Sequence, residues 1–366
     1  MSTTVQEDVI GPDGTKFFTK TWLPSPSTPT IAVVLFVHGF VEHIRRYDHV
    51  FPLYAEKGIA VFAYDQRGFG QTAFYTSKHS QGQTTWMKQF SDLDFFTSHI
   101  RSKFPSPLPL YLMGHSMGGA IVLGYPTRKP LLPNFKTSNF KGIISTSPLI
   151  RQSPKVKAPP IIVKLGSIIG KLLPNLPLNA QVKPQDTCRD PEIQKSYSED
   201  KLCKQIGSFG GVGSMLIGGE SLLKTGYKDW PTNQDQEGLP LLICHGESDK
   251  VTDHEASKGF VDKLKHQVGV KDVTYKGFQG YYHEMQNEPG QDKLVFINYV
   301  IDWILSRTPL NNSNNNDSTT TQPQAQPTLI DTTNTPAIQV SPASPIVEDP
   351  TTTPTAAAAA ARDSKL

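Results

Sequence analysis

The sequence predicts an α/β fold, a mostly parallel central sheet flanked by helices, with a helical cap inserted late in the chain. Three observations predict it. Short apolar runs that stop at a glycine or histidine recur along residues 1–150 and again along 233–308. Segments of helical spacing separate these runs, and strand–helix alternation implies right-handed crossovers between parallel neighbours. Residues 151–232 break the style, with Gly and Lys among aliphatic side chains, so a cap is expected between two pieces of one core.

The elements follow in order. The chain starts with a hairpin signal, Pro12-Asp13-Gly14 as the turn and Lys16–Trp22 as the strand after it. Ile31–Val37 is an apolar run that stops at His38-Gly39, suited to a strand buried on both faces. Ile59–Tyr64 is a second such run. Apolar residues at 86, 87, 90, 93, 96 and 100 give Trp86–Ile100 a helical spacing. Pro109–Met113 is a third such apolar run, Gly118–Gly124 a helical run ended by Pro126, and Gly142–Ser145 a further strand. Beyond the cap, Leu239–His245 and Val273–Tyr275 read as strands and Leu294–Leu305 as a closing amphipathic helix. In such sheets ligands bind beyond the carboxyl ends of the strands, so the chemistry is expected just after these runs.

Composition excludes several classes. Net charge is only +3 and the basic residues are scattered, so no nucleic-acid partner is expected. Cys188, Cys203 and Cys244 form an odd, sparse set with no disulfide framework and no zinc spacing, which fits a reducing compartment. The first residues lack the basic and apolar segments of a secretory signal. No run approaches the roughly 20 apolar residues of a membrane span, so a soluble chain is expected. Residues 309–366 are rich in Asn, Ser, Thr, Pro and Ala. They cannot bury enough apolar surface to offset their ordering entropy, and disorder is expected. Asn311-Asn312-Ser313 is read as a chance glycosylation match.

One constellation carries chemistry. Gly114-His115-Ser116-Met117-Gly118 is a G-x-S-x-G segment between a strand and a helical run, the nucleophile turn of α/β-hydrolases. The turn lifts the Ser oxygen above the sheet edge and sets it at a helix N-terminus, where developing negative charge is favoured. A Ser hydroxyl needs a base, and on this fold the acid and then the His follow the Ser in sequence. Asp249 follows the Leu239–His245 strand, and His283 lies in the loop after the last strand. His254 is the main rival as base and Asp253 as acid; Asp253 better suits a helix cap near Ala256. His38 is assigned to the Gly39 turn, His115 is expected to point away from the pocket, and His245 is set aside as a strand residue. The oxyanion hole requires two backbone N–H groups, expected from Met117 and Phe40. No metal or cofactor is needed. Gly68-Phe69-Gly70 loosely fits a dinucleotide fingerprint, but a glycine turn beside the nucleophile explains it more simply.

Five segments together resemble the monoacylglycerol lipase family, the serine-aminopeptidase-like branch of the α/β-hydrolases. They are His38 to His43 with Arg46-Tyr47, Asp65 to Gly70, Gly114 to Gly119, His245 to Thr252, and Tyr282 to Pro289. Asp65-Gln66-Arg67-Gly68 looks especially like fungal members. The resemblance implies hydrolysis of a monoacylglycerol to fatty acid and glycerol. It also makes Glu42 and Arg46 candidate head-group binders; a surface ion pair is the alternative. Phe40-Val41 stands where many members have small residues, which narrows the head-group end. Residues 151–232 fit the family's cap. There Ile161, Ile162, Leu165, Ile168, Ile169, Leu172 and Leu173 share a helical face, with Lys164 and Lys171 elsewhere, that suits an acyl chain or a lipid surface, or equally packing on the core. Gly210–Gly219 lacks the partners of a phosphate loop and is expected to give the cap mobility.

Rival enzymes on the same scaffold are a lysophospholipase, an acyl-CoA thioesterase and an acyltransferase. A rival of another class is a non-catalytic lipid binder that keeps the fold. The final Ser364-Lys365-Leu366 reads as a peroxisomal address for an import receptor.

Overall fold

Eight strands form one sheet in the computed structural model, which describes residues 2–76, 80–156, 168–232 and 238–309. Across the sheet the order is β1 (Thr3–Ile10), β2 (Lys16–Leu23), β4 (Ile59–Tyr64), β3 (Ala32–Val37), β5 (Leu110–His115), β6 (Gly142–Thr146), β9 (Leu241–Gly246) and β10 (Val273–Phe278). The first two strands run antiparallel to their neighbours, and every later pairing is parallel. The parallel strands therefore end along one edge, and the glycine and histidine stops of the sequence lie there.

Successive side chains of a strand face opposite sides, and the core divides accordingly. Val33, Leu35 and Val37 of β3 join one cluster with Phe90, Leu93, Phe96 and Ile100 of the helix α3 (Trp86–Lys103). Ala32, Val34 and Phe36 join the other cluster, with Phe51 and Tyr54 of α1 (Phe51–Glu56) and Ile297 and Ile301 of α9 (Asp292–Leu305). β3, β4 and β5 are buried along their whole length, which is why they read as unbroken apolar runs. Thr85 caps α3, its hydroxyl accepting from the Lys88 amide at 3.3 Å. Met87, placed on the apolar face by spacing, is 53% exposed instead. The remaining core helices are α2 (Gly70–Thr76), α4 (Met117–Gly124) and α8 (His254–Lys263).

Between β6 and β9 the chain forms a two-stranded antiparallel ribbon, β7 (Pro177–Asn179) with β8 (Ile206–Ser208), and helices that include α5 (Pro184–Thr187), α6 (Pro191–Glu199) and α7 (Phe209–Lys224). The glycine run expected to loosen this region lies inside α7, where it has a packing role. A methyl on Gly218 would come within 2.7 Å of the Trp86 ring, and one on Gly219 would strike the Leu149 carbonyl oxygen. The glycines bring the helix backbone against the core, so close approach rather than mobility explains them. Of the apolar cap face, Ile161, Ile162 and Leu165 lie outside the described residues; Ile169 is half-buried, and Ile168, Leu172 and Leu173 are exposed, at 49%, 76% and 57%. The described residues belong to one compact unit, Met1–Asn316. Residues beyond 309, with the expected disorder and the terminal tripeptide, lie outside them.

A pair of substitutions separates these roles. Gly219→Ala is expected to destabilise the protein by about 1–3 kcal/mol through overpacking, read as a lower thermal midpoint. Gly213→Ala, in the same helix with open space around its methyl, is expected to stabilise it by up to about 1 kcal/mol.

Candidate active site

Ser116 stands between β5 and α4 with φ 55° and ψ −116°, a backbone conformation that L-residues rarely adopt. Its neighbours permit the turn. A Cβ on Gly118 would strike the Val37 and His38 carbonyls, and one on Gly114 would strike the Gly118 carbonyl. The Ser116 amide donates to the Thr146 carbonyl at 2.9 Å, which anchors the turn to β6.

The three expected partners come together. Ser116 Oγ lies 2.9 Å from His283 Nε2, and His283 Nδ1 lies 2.7 Å from Asp249 Oδ2. With Nδ1–H donating to the carboxylate, Nε2 is left free to accept the hydroxyl proton. The loop that carries His283 is pinned by the Ser147 hydroxyl, which donates to the His283 carbonyl at 2.8 Å.

Asp249 is fully buried, and five donors converge on it. Oδ1 accepts the amides of Val251 at 2.7 Å and Thr252 at 3.0 Å. Oδ2 accepts the Thr252 hydroxyl at 2.7 Å and His245 Nε2 at 3.1 Å, besides His283. Burial opposes the charge, but His283 and His245 outweigh it and hold the carboxyl far below the usual carboxylate range. Burial alone would depress the His283 imidazolium; the Asp249 carboxylate more than offsets this, so its pKa is raised.

Sequence reasoning missed His245 and Thr252 as holders of the acid. The signal present was their place, four residues before and three after Asp249. His254 and Asp253, the rivals, stand outside the triad; Asp253 caps α8, accepting from the Glu255 amide at 3.0 Å. His115 departs from expectation. It lines the cavity beside Ser116 with its ring 4.8 Å from that of His283, and burial pushes its pKa down to about 3, so it stays neutral.

A cavity of about 430 Å³ opens over Ser116 and His283. Leu149, Val182, Val212, Met215 and Leu216 give it apolar walls, while Phe40, Glu42 and Glu284 close the side nearest the β3 turn. Phe40 thus borders the cavity, and Met117 is the first residue of α4, where helix amides have no intrahelical acceptor. A Cβ on Gly39 would lie 3.0 Å from Ser116 Cβ, so the β3 turn presses on the nucleophile.

Glu42 and Arg46 are neither a surface ion pair nor equal partners at the cavity. Glu42 lines it; Arg46 does not. The Arg46 guanidinium donates to Glu284 at 2.6 and 2.7 Å and to Glu42 at 3.1 Å, and lies over the Tyr197 ring at 4.6 Å. Burial opposes the Glu284 charge, but Arg46 overcomes it and brings the carboxyl down to about 2. Burial dominates at Glu42 and raises its pKa.

No metal site was expected from spacing. Among the described residues, His43, Asp200 and Cys203 bring ligand-type atoms within 4.8 Å of one another. His43 Nε2 already donates to Asp200 Oδ2 at 2.8 Å, a hydrogen bond that joins the β3–α1 loop to the segment after α6. In the glycine turn Gly68–Gly70, Gly70 packs on the Asp65 carboxylate, which accepts the Gln71 amide at 2.6 Å.

The chain is similar to known proteins in sequence and in fold. The serine aminopeptidase S33 family profile matches residues 28–290. The chain belongs to this family. A monoacylglycerol lipase of Mycolicibacterium smegmatis is 30% identical over 309 residues, covering 83% of this chain and 98% of its own. A Schizosaccharomyces pombe relative is 31% identical over 287 residues, covering 78% of this chain and 70% of its own. The fold is shared with a soluble variant of the Saccharomyces cerevisiae monoglyceride lipase, solved with a substrate analog. Its TM-score is 0.72 at 24% identity, covering 84% of this chain and 97% of that one. This S33 family member is thus an α/β-hydrolase and a carboxylic ester hydrolase.

Protonated His283 cannot take the serine proton, so kcat/KM is expected to fall on acidification. Because Asp249 raises the His283 pKa, the midpoint is expected above the ordinary 6.5. Asp249→Asn removes that support, so the midpoint moves down and kcat falls about 10⁴-fold in a pH–rate profile.

Proposed function

We propose that this chain hydrolyses monoacylglycerols to a fatty acid and glycerol through an acyl-enzyme on Ser116. The observation that carries the reading is the 2.9 Å contact of His283 Nε2 with Ser116 Oγ at the floor of an apolar-walled cavity. His283 takes the Ser116 proton as Oγ attacks the ester carbonyl. Amides of Phe40 and Met117 receive the developing oxyanion, each worth on the order of 3 kcal/mol. The tetrahedral intermediate collapses, His283 gives its proton to the departing glycerol oxygen, and the acyl group stays on Ser116. Water, deprotonated by the same imidazole, then releases the fatty acid and restores the hydroxyl. The named lipases among the relatives support this choice of ester.

A second reading has one observation in its favour. Lys155 and Lys183 also line the cavity, both with exposed side chains, which suits an anionic head group such as that of a lysophospholipid or an acyl-CoA. The proposal extends to where the enzyme works. Exposed Ile168, Leu172, Leu173, Leu176 and Ile217 in the segment between β6 and β9 favour peripheral contact with a lipid surface. Ser364-Lys365-Leu366 favours delivery to the peroxisome by an import receptor.

Ser116→Ala is expected to abolish hydrolysis while the thermal midpoint is kept, and to abolish labelling by a fluorophosphonate. A panel of monoacylglycerols, lysophospholipids and acyl-CoAs is expected to show the highest kcat/KM for a monoacylglycerol; a lead for either anionic ester selects the second reading. Deleting residues 364–366 from a fluorescent fusion that leaves the carboxyl terminus free is expected to move the signal from peroxisomes to the cytosol, seen by microscopy.

A further inference from the structure

The turn after β3 is gripped on two successive peptides. His38 is buried and pushed down to about 3, so it is neutral. Its Nε2 accepts the Gln66 amide at 2.8 Å, which leaves the proton on Nδ1 to donate to the Gly39 carbonyl at 2.8 Å. That carbonyl belongs to the same peptide as the Phe40 amide. The two groups of a trans peptide point in opposite directions, so fixing one aims the other. One peptide earlier, the Gly39 amide donates to Glu42 Oε1.

Glu42 is itself held by two further groups. The Tyr47 hydroxyl reaches its two oxygens at 3.0 and 3.3 Å, and Arg46 Nη1 reaches Oε2 at 3.1 Å. Arg46 continues to Glu284, the residue after His283 in sequence. Between Phe40 and Glu42, Val41 has φ 50°, a left-handed conformation that a β-branched residue rarely adopts. A turn strained in this way keeps its shape only when its surroundings over-determine it. The Glu42 side chain is 3% exposed and both of its oxygens are already engaged, which leaves it poorly placed to bind a glycerol hydroxyl.

We propose that Glu42 is a positioning residue: its carboxylate holds the His38–Phe40 turn so that the Phe40 amide faces Ser116, and through Arg46 it ties that turn to the loop carrying His283. One buried group thereby sets the oxyanion donor and the base in register. This rests on Ser116 as nucleophile and Phe40 as oxyanion donor, and is independent of which ester is cleaved.

The test compares Glu42→Ala and Glu42→Gln on two substrates, a monoacylglycerol and p-nitrophenyl butyrate, an aryl ester without glycerol. A misaimed oxyanion donor slows every ester. Glu42→Ala is therefore expected to lower kcat by about 10²–10³-fold on both substrates with KM little changed. Gln keeps an oxygen for the Gly39 amide, so Glu42→Gln is expected to recover part of that loss on both. A loss confined to the monoacylglycerol means a head-group contact and overturns the proposal, as does an unchanged kcat on the aryl ester. If Glu42→Ala gives no cooperative thermal melt, Glu42→Gln decides alone, since wild-type kcat on the aryl ester would overturn the proposal. A wild-type enzyme that cleaves the aryl ester but no monoacylglycerol removes the proposed substrate and leaves this test intact.

Discussion

A carboxylate buried at the end of β9 governs the site. Asp249 stays charged in the protein interior only because two amides, one hydroxyl and two imidazoles donate to it. An unpaired buried charge would be neutralised or would unfold its surroundings. The same donors that sustain the charge fix its direction, so His283 has one orientation, with Nε2 turned to Ser116. Every later step of the chemistry uses that orientation.

The sheet supplies the convergence. Ser116, Asp249 and His283 follow β5, β9 and β10, parallel strands that end along one edge. The segment between β6 and β9 closes the site from above. Its glycine-lined helix packs against Trp86 and the Leu149 carbonyl, and Tyr197 from the same segment covers the Arg46 guanidinium. Two charged clusters lie near the nucleophile, one around Asp249 and one around Arg46.

Much of this was legible in the sequence for a physical reason. Strands buried on both faces must be apolar throughout, so β3, β4 and β5 were visible as runs. Of β1 only the hairpin turn after it was legible, because most of Thr3–Ile10 is exposed at the sheet edge and carries no apolar run. Gly114 and Gly118 stand in the serine motif, whereas nothing in the sequence around Gly218 and Gly219 marks the close approach they make. Gly118 meets Val37 and His38 and Gly218 meets Trp86, so both pairs have partners distant in sequence, and only the first pair is marked by a local motif. His115 and His245 were set aside by local position, and both lie against the triad in space.

The sequence by itself determined the nucleophile turn, the order of serine, acid and histidine, and the strand ends where they stand, since each follows from local spacing and periodicity. Tertiary structure alone decided how the charges are shared. Arg46 meets Glu284 across 238 positions and His43 meets Asp200 across 157. Those partners depend on which loops the sheet order brings together. Burial then decides whether a Glu and an Arg form a solvent-screened surface pair or a structural clamp beside the nucleophile.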